Sequence, residues 1–335
     1  NRYEQLADDM VQAIAEGLLK VGDRLPSVRQ TCQRRGVSPS TVFQAYGLLE
    51  ARGVIEARPR SGYYVRAQKR PLRPLPQPAV PRTEASSVEV SALAFELLES
   101  TRNPDVVPLG SAFPAPHLFP LAELARAGAR AMRQLRPDQV TTALAVGDES
   151  LRQSLRKRYA LQGVPLAADE LVIANGAMEA LNLCLQAVTR PGDIAVVESP
   201  TFYASLHALE RLNLRAVEVA TDPREGVVLE DLERLLDMHK VAACWFMPNL
   251  QNPLGASMPA SRKRDLVALL ARRSIPLIED DVYGELYADV RRPQPAKAFD
   301  QTGNVLHCAP FSKCLAPGYR VGWAAAGRYA AKVLR

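Results

Sequence analysis

Between Arg66 and Arg82 the chain reads RAQKRPLRPLPQPAVPR, and prolines at 71, 74, 76, 78 and 81 leave no room there for a helix or an internal strand. A 335-residue chain interrupted in this way is expected to fold as two bodies rather than one. The interruption suits an extended, semi-rigid polyproline segment and a disordered tail equally well on composition. Either way it marks a boundary. The expected organisation is a domain over 1–66, a proline-rich linker over 67–94 and a larger domain over 95–335, with a helical pattern resuming at SALAFELLES (91–100).

Charge separates the two bodies as well. Residues 1–70 hold 12 Lys/Arg against 7 Asp/Glu, which is most of the chain's net charge of +6. A basic domain attached to a near-neutral one points to a polyanion partner for the first, and a merely solvated basic face is the plainer alternative. Five scattered cysteines without a CxxC pair argue against a disulfide framework or a structural zinc and suit a reducing cytoplasm. The four histidines have no metal-ligand spacing, no apolar run reaches membrane-spanning length, and no signal-peptide pattern opens the chain.

In the first body, Leu6, Met10, Ile14 and Leu18 recur at helical spacing and predict a helix over 3–17. Pro26 is expected to start a second helix with Ser27 in its first turn, and Gly36 to end it. Ser38 caps a third helix with Pro39 at its first position, and Val42, Ala45, Tyr46 and Leu49 form its buried stripe. From Ile55 to Val65 the pattern alternates around Ser61-Gly62 and predicts a hairpin. Three helices followed by a basic hairpin form a winged helix-turn-helix, whose third helix enters the major groove of DNA N-terminus first. Ser38, Ser40, Thr41 and Gln44 would then face phosphates and base edges, and Arg29, Arg58 and Arg60 would contact the backbone. A three-helix protein-binding module is the alternative. The stretches GDRLPSVRQ and VSPSTVFQAYGLLEARGVIEARPRSGYYV resemble the DNA-binding domain of the GntR family of bacterial regulators. That resemblance implies DNA contacts from Arg29, Thr41, Gln44 and the wing around Gly62, and a dimer on paired half-sites of double-stranded operator DNA.

Beyond residue 120, helical patterns alternate with short apolar runs at Leu171–Ala174, Ile194–Glu198, Arg215–Val219, Ala242–Met247, Pro276–Asp280 and Val305–Ala309. Such alternation predicts an α/β fold with a mostly parallel sheet, whose ligands sit at the carboxyl ends of the strands. The polar residues of interest fall there. Gly176-Ala177-Met178 opens a helix whose N-terminus can hold a phosphate. Phe202 and Tyr203 offer an aromatic face, and Asn252 a donor. Asp280 can face a pyridine nitrogen, with Tyr283 three residues on. Ser312-Lys313 precedes Arg320 by a loop broken by glycine and proline: a lysine for a Schiff base and an arginine to clamp a phosphate. Taken singly, these residues read equally well as turns, caps and core.

Taken in order, ANGAMEALNL, VVESPTFYAS, MPNLQNPLG, IEDDVYGEL and FSKCLAPGYRVGW resemble fold-type I pyridoxal-phosphate enzymes of the aspartate aminotransferase family over roughly 95–335. By that resemblance Lys313 is the Schiff-base lysine, Asp280 the pyridinium partner, Tyr283 and Asn252 the O3′ contacts, Arg320 the phosphate arginine and Phe202 the stacking aromatic, while GSAFPAPHLFP (110–120) matches the substrate-side segment. Two positions depart from the pattern: Pro310 stands where a phosphate-binding serine is usual, and Thr142 where a tyrosine usually reaches the neighbouring subunit. A GntR-type reader joined to this fold resembles the MocR-type regulators, homodimers in which pyridoxal 5'-phosphate and an amine or amino-acid effector act on DNA binding. A working aminotransferase with an attached DNA-binding domain needs the same residues and stays open beside it. A degenerate scaffold needs none of them. Asn1 at the start, and an end only 22 residues after Lys313 where the family continues into a small C-terminal domain, suit a piece of a longer protein.

Overall fold

The computed structural model describes the chain apart from residues 1, 60, 67–76, 82, 101–102, 104, 106, 108–111, 138–145 and 289. It divides into two compact units, Asn1–Leu75 and Pro76–Arg335. Prolines 71, 74 and 76 of the expected linker lie outside the described residues.

The first unit is α1 (Arg2–Ala15), α2 (Val28–Arg35), α3 (Pro39–Ala51), β1 (Ile55–Arg58) and β2 (Gly62–Val65), the strands pairing antiparallel from Ile55 opposite Val65 to Arg58 opposite Gly62. Its core is Leu6, Met10, Leu25, Val42, Ala45, Tyr46, Leu49, Ile55 and Val65. The four positions expected along α3 are fully buried, because their spacing of three and four residues keeps them on one face. Tyr46 is buried whole, and its hydroxyl is satisfied by Thr31 Oγ1 at 2.9 Å and by donating to Pro26 O at 2.7 Å. Two expectations change here. Pro26 does not begin α2: Ser27 is the cap, accepting from Gln30 N while the Gln30 side chain accepts from Ser27 N, and Val28 is the first helical residue. Leu18 leaves the α1 stripe and is 74% exposed, because α1 ends at Ala15 and the chain turns at Gly17 in the left-handed region.

The second unit runs β3 (Ser86–Ser87), α4 (Ser91–Ser100), α5 (Leu121–Gln134), α6 (Glu149–Leu161), β4 (Leu171–Ala174), α7 (Ala177–Val188), β5 (Ile194–Ser199), α8 (Tyr203–Arg211), β6 (Arg215–Asp222), β7 (Gly226–Val227), α9 (Leu229–Met238), β8 (Val241–Phe246), α10 (Ala260–Arg272), β9 (Leu277–Asp280), β10 (Val305–Pro310), β11 (Gly322–Ala325) and α11 (Ala330–Val333). Among the described residues the sheet order is β3-β6-β5-β8-β9-β10-β11-β4, with β7 on β6. The strands β6, β5, β8, β9 and β10 are mutually parallel. β11 runs antiparallel to both β10 and β4, and two reversals return β4 to the parallel direction. All six strands expected from sequence therefore end on the same side.

Both faces of the sheet are covered, as parallel strands require. On one side Leu181 and Leu185 of α7 and Leu209 of α8 pack on Trp245, Ile278 and Leu306. On the other, Leu232 of α9 and Leu266 and Leu270 of α10 pack on Val196, Phe246 and Leu277. Adjacent Leu277 and Ile278 go to opposite faces by strand pleating. The segment expected as linker through residue 94 is part of this unit from Thr83 on. Ser86 and Ser87 extend the sheet against β6, His239 Nε2 donates to Thr83 O at 2.7 Å, and Val90 N and Ser91 N donate to Glu210 Oε2 at 2.7 and 2.8 Å. No described helix is long and apolar enough to cross a membrane.

Candidate functional site

The carboxyl ends of the strands surround a cavity of about 700 Å³. Into it come Asp280 from the end of β9, Asn252 from the loop after β8, Phe202 and Tyr203 from the start of α8, Ala177 and Met178 from the start of α7, Tyr283, Ser312, Lys313 and Arg320. Ten of the eleven expected cofactor residues thus line one space. The eleventh, Gly176, caps α7 immediately behind it.

Lys313 follows β10 in a turn. Its Nζ donates to Ala112 O at 2.8 Å and lies 3.4 Å from the centroid of the Phe113 ring and 5.5 Å from that of Tyr283. Desolvation among these groups pushes the amine down to about 8, with the charge of Asp280 opposing the shift. The amine is still mostly charged at neutral pH, but its uncharged, nucleophilic fraction is far larger than that of an ordinary lysine.

Asp280 is fully buried, and burial pushes its carboxyl up to about 7, against the lowering effect of a 3.3 Å bond from Val282 N. Its neighbour Asp281 behaves in the opposite way. Burial works to raise it as well, but His307 Nε2 at 3.0 Å and Arg292 Nη2 at 2.6 Å hold it below the usual carboxylate range. Behind Asp281 a buried relay runs from Trp323 Nε1 to the Tyr159 hydroxyl (2.9 Å), and from that hydroxyl to His307 Nδ1 (2.6 Å). One carboxylate is neutralised by the scaffold and the other is left facing the cavity.

The anion end of the site is a close crossing of two loops. Gly176 has φ 89° and ψ 172°, and a Cβ there would stand 2.7 Å from Arg320 Nη2. A Cβ at Gly322 would stand 2.4 Å from the Gly176 carbonyl carbon. Only glycine fits either place. Arg320 itself has φ 52° and donates from Nη2 to Asn175 O at 3.0 Å, which sets its guanidinium beside the free N–H groups of the α7 N-terminus. Farther along, Asn252 Nδ2 donates to the Tyr283 hydroxyl at 3.3 Å, and burial raises that phenol. Phe202 and Tyr203 meet edge to face at 4.7 Å.

Sequence reasoning missed several lining residues, among them Phe95 and Leu98 of α4, Asn182 of α7 and His207 of α8. The sequence of α4 shows a helical pattern at 91–100, and nothing in it tells which face meets a cavity. It also missed Glu198 near the end of β5. Glu198 is buried and pushed up to about 8 by that burial; Oε2 accepts from Met247 N at 2.8 Å, and Oε1 has no hydrogen-bond partner among the described residues. An acid in VVESP looks like an ordinary strand end until the neighbouring strands enclose it.

In the first unit, Ser38 caps α3 by accepting from Thr41 N at 3.3 Å, with Ser40 and Thr41 hydroxyls at 2.9 Å. Ser38, Ser40, Gln44 and Arg29 are exposed and Thr41 is half-buried, so they present a polar face at the start of α3. Arg58 pairs with Glu56 at 2.8 Å and lies 4.3 Å over the Tyr64 ring, while Gly62 begins β2 with φ 104°. Arg60 lies outside the described residues, as do Gly110 and Ser111 of the 110–120 segment and Thr142.

Comparison with known proteins gives the same two parts. The family model described as aminotransferase class I and II matches residues 105–335, and that of bacterial regulatory proteins, gntR family, matches residues 2–65. The chain is 49% identical over 334 residues to the uncharacterized HTH-type transcriptional regulator YdcR of Escherichia coli, across 100% of this chain and 71% of that protein. It is 38% identical to YjiR of the same organism, across 99% and 71%. Among solved structures, kynurenine aminotransferase of Pyrococcus horikoshii, in complex with PMP, is 30% identical with a TM-score of 0.65 over 72% of this chain and 61% of that one. A multiple substrate aminotransferase from Thermococcus profundus is 28% identical with a TM-score of 0.65 over 72% and 62%. The chain thus spans about three fifths of the length of these solved structures.

Proposed function

Because the chain belongs to the aminotransferase class I and II family and carries a gntR-family regulatory domain ahead of that fold, we propose that it is a DNA-binding transcriptional regulator whose larger unit binds pyridoxal 5'-phosphate and senses a primary amine or amino acid. The observation that carries this reading is the convergence of Lys313, Asp280, Asn252, Tyr283 and Arg320 on one cavity from three separate stretches, those that follow β8, β9 and β10.

The residues fit the cofactor. The tight crossing at Gly176 and Gly322, where a Cβ would collide with Arg320 or with the Gly176 backbone, holds a guanidinium beside a helix N-terminus, which suits a phosphate. Asp280, raised to about 7 by burial, would be held as a carboxylate by a protonated ring nitrogen placed against it. Asn252 and Tyr283 present a donor pair for a phenolic oxygen. Phe202 and Tyr203 supply aromatic surface. Bound there, the cofactor would supply an aldehyde that reacts with primary amines and a ring that draws electrons. Lys313, at about 8, offers its free amine for the covalent link and takes a proton back when an incoming amine displaces it. That return of charge beside Ala112 O and the Phe113 ring is a local change able to bias the protein's conformation.

The polar start of α3 and the wing at Arg58 and Gly62 serve double-stranded operator DNA, with Ser38, Ser40, Thr41 and Gln44 toward the groove and Arg29 toward phosphate. The reading includes a homodimer. Helix α5 buries none of its residues and leaves Leu121 and Met132 exposed, and a second copy would cover that apolar face.

The test is direct. Purified protein given pyridoxal phosphate should develop visible absorption, and borohydride should fix the cofactor on the peptide that contains Lys313, as read by mass spectrometry. Lys313→Ala should lose that fixation while the first unit keeps its own unfolding transition and its DNA affinity. A protein that stays colourless, or fixation elsewhere, overturns the reading. Turnover of amino acids by the same sample, without any effect on DNA binding, would favour a working aminotransferase over a sensor.

A further inference from the structure

Resting on the DNA reading of the first unit, we infer that Phe43 makes the protein select thymine, by covering the C5-methyl group of that base in the major groove. Helix α3 has two faces. Val42, Ala45, Tyr46 and Leu49 are fully buried, while Ser40, Phe43, Gln44 and Gly47, at spacings of three and four residues, are exposed on the other side. Two aromatic side chains three positions apart thus have opposite fates: Tyr46 is buried whole and Phe43 is 57% exposed. Helical side chains lean toward the N-terminus of their own helix. Phe43 therefore covers the turn nearer the cap at Ser38, which is the end that enters the groove.

Two properties of this face fit a base edge. No charged residue occurs from Ser38 to Leu49, and the first acid, Glu50, accepts from Ala57 N at 3.2 Å, so phosphates flanking the groove meet no acid along the stripe. Gly47, one turn after Phe43, lies inside the helix, and a Cβ there would meet nothing within 4 Å. Glycine weakens a helix interior and nothing within the unit requires it here, so the bare backbone leaves room for a surface from outside. Base edges in the major groove present donors, acceptors and one apolar group, the thymine methyl. A phenyl ring set against the donors or acceptors would take them out of water without a partner. Set against the methyl, it buries apolar surface on both sides, which is about fourfold in affinity for one methyl. Ser40 and Gln44 flank the ring with polar groups for the other atoms of the edge.

The full chain, at one fixed salt concentration, is used to select binders from a duplex pool with a randomised core. Each thymine of the enriched duplex is then replaced in turn by deoxyuridine, which removes the methyl group alone. At least one replacement should weaken binding about fourfold in the parent protein and less than about 1.5-fold in Phe43→Ala. Alanine favours the helix, so the first unit of that variant should keep its unfolding transition. Phe43→Arg, taken through the same selection, should exchange that thymine for guanine, whose O6 and N7 accept from a guanidinium. Binding indifferent to every methyl, or a sensitivity that persists in Phe43→Ala, overturns the inference, and so does a Phe43→Arg protein that enriches the parent's sequence. A Phe43→Ala protein that changes its elution volume while keeping the parent's base preference overturns it too, because a second copy would then be what covers the ring. A parent protein that enriches no sequence sinks the DNA reading instead, and the inference with it.

Discussion

Replacing Gly176 by alanine strikes two things at once, and the structure separates them. The residue sits at φ 89° and ψ 172°, where an L side chain costs about 1–3 kcal/mol in backbone strain. The added Cβ also meets Arg320 Nη2 at 2.7 Å and Cζ at 2.9 Å, so the guanidinium must leave Asn175 O. Loss of one charge-assisted contact to a phosphate is worth about 1.5–3 kcal/mol, roughly 10- to 100-fold in affinity. Gly192 is the control: it has φ 88° but nothing within 4 Å of its would-be Cβ. Both Gly176→Ala and Gly192→Ala should lower the melting temperature of the larger unit by several degrees, at about 2–4 °C per kcal/mol. Only Gly176→Ala should also weaken pyridoxal phosphate, measured by equilibrium titration of the visible band. Equal cofactor affinity in the two variants would refute the placement of Arg320 as the phosphate clamp.

Other expectations follow from single groups. Glu198 is held neutral up to about 8 by burial, so the folded protein binds one proton more than the unfolded chain across the interval from the ordinary carboxyl range to about 8. Its contribution to stability is therefore complete at low pH and lost as pH rises through that interval, on the order of 3–5 kcal/mol at the limit. Glu198→Gln should accordingly gain stability relative to the parent between pH 5 and pH 8.5 in urea unfolding, and a pH-independent difference would contradict this. Arg58→Ala should weaken DNA binding about equally across sequences and reduce the salt slope by about one, as read by titrations at several salt concentrations. A sequence-dependent loss would instead place Arg58 on a base edge.

The strands were legible because β-branched and apolar runs buried on both faces differ from everything around them: Ile194 to Ser199 and Val305 to Pro310 lie where the pattern puts them. β11 was not, since GWAA is rich in small residues with little strand preference and owes its extended form to pairing with β10 and β4. Leu18 was misplaced because periodicity does not see where a helix stops. The residues brought to the cavity were readable from five short stretches, since the chemistry of a lysine, an acid and an arginine at strand ends is specific. The apolar wall was not: Phe95 and His207 are 112 positions apart and meet only through the packing of α4 on α8. The docking of Thr83 to Ser91 was hidden for the same reason, as its partners His239, Arg215 and Glu210 come much later in the chain.

Asp280 and Asp281 stand next to each other at the end of β9, and pleating sends them to opposite sides, one to the cavity and the other to Arg292 and His307. Loss of a single residue within β9 would bring Asp281 to the cavity side and set the uncharged Val282 against Arg292 and His307. The site would keep an acid while the scaffold behind it lost the carboxylate that Arg292 and His307 share. A change of strand length there thus reaches the scaffold as well as the site, whereas a point replacement can reach one of them alone.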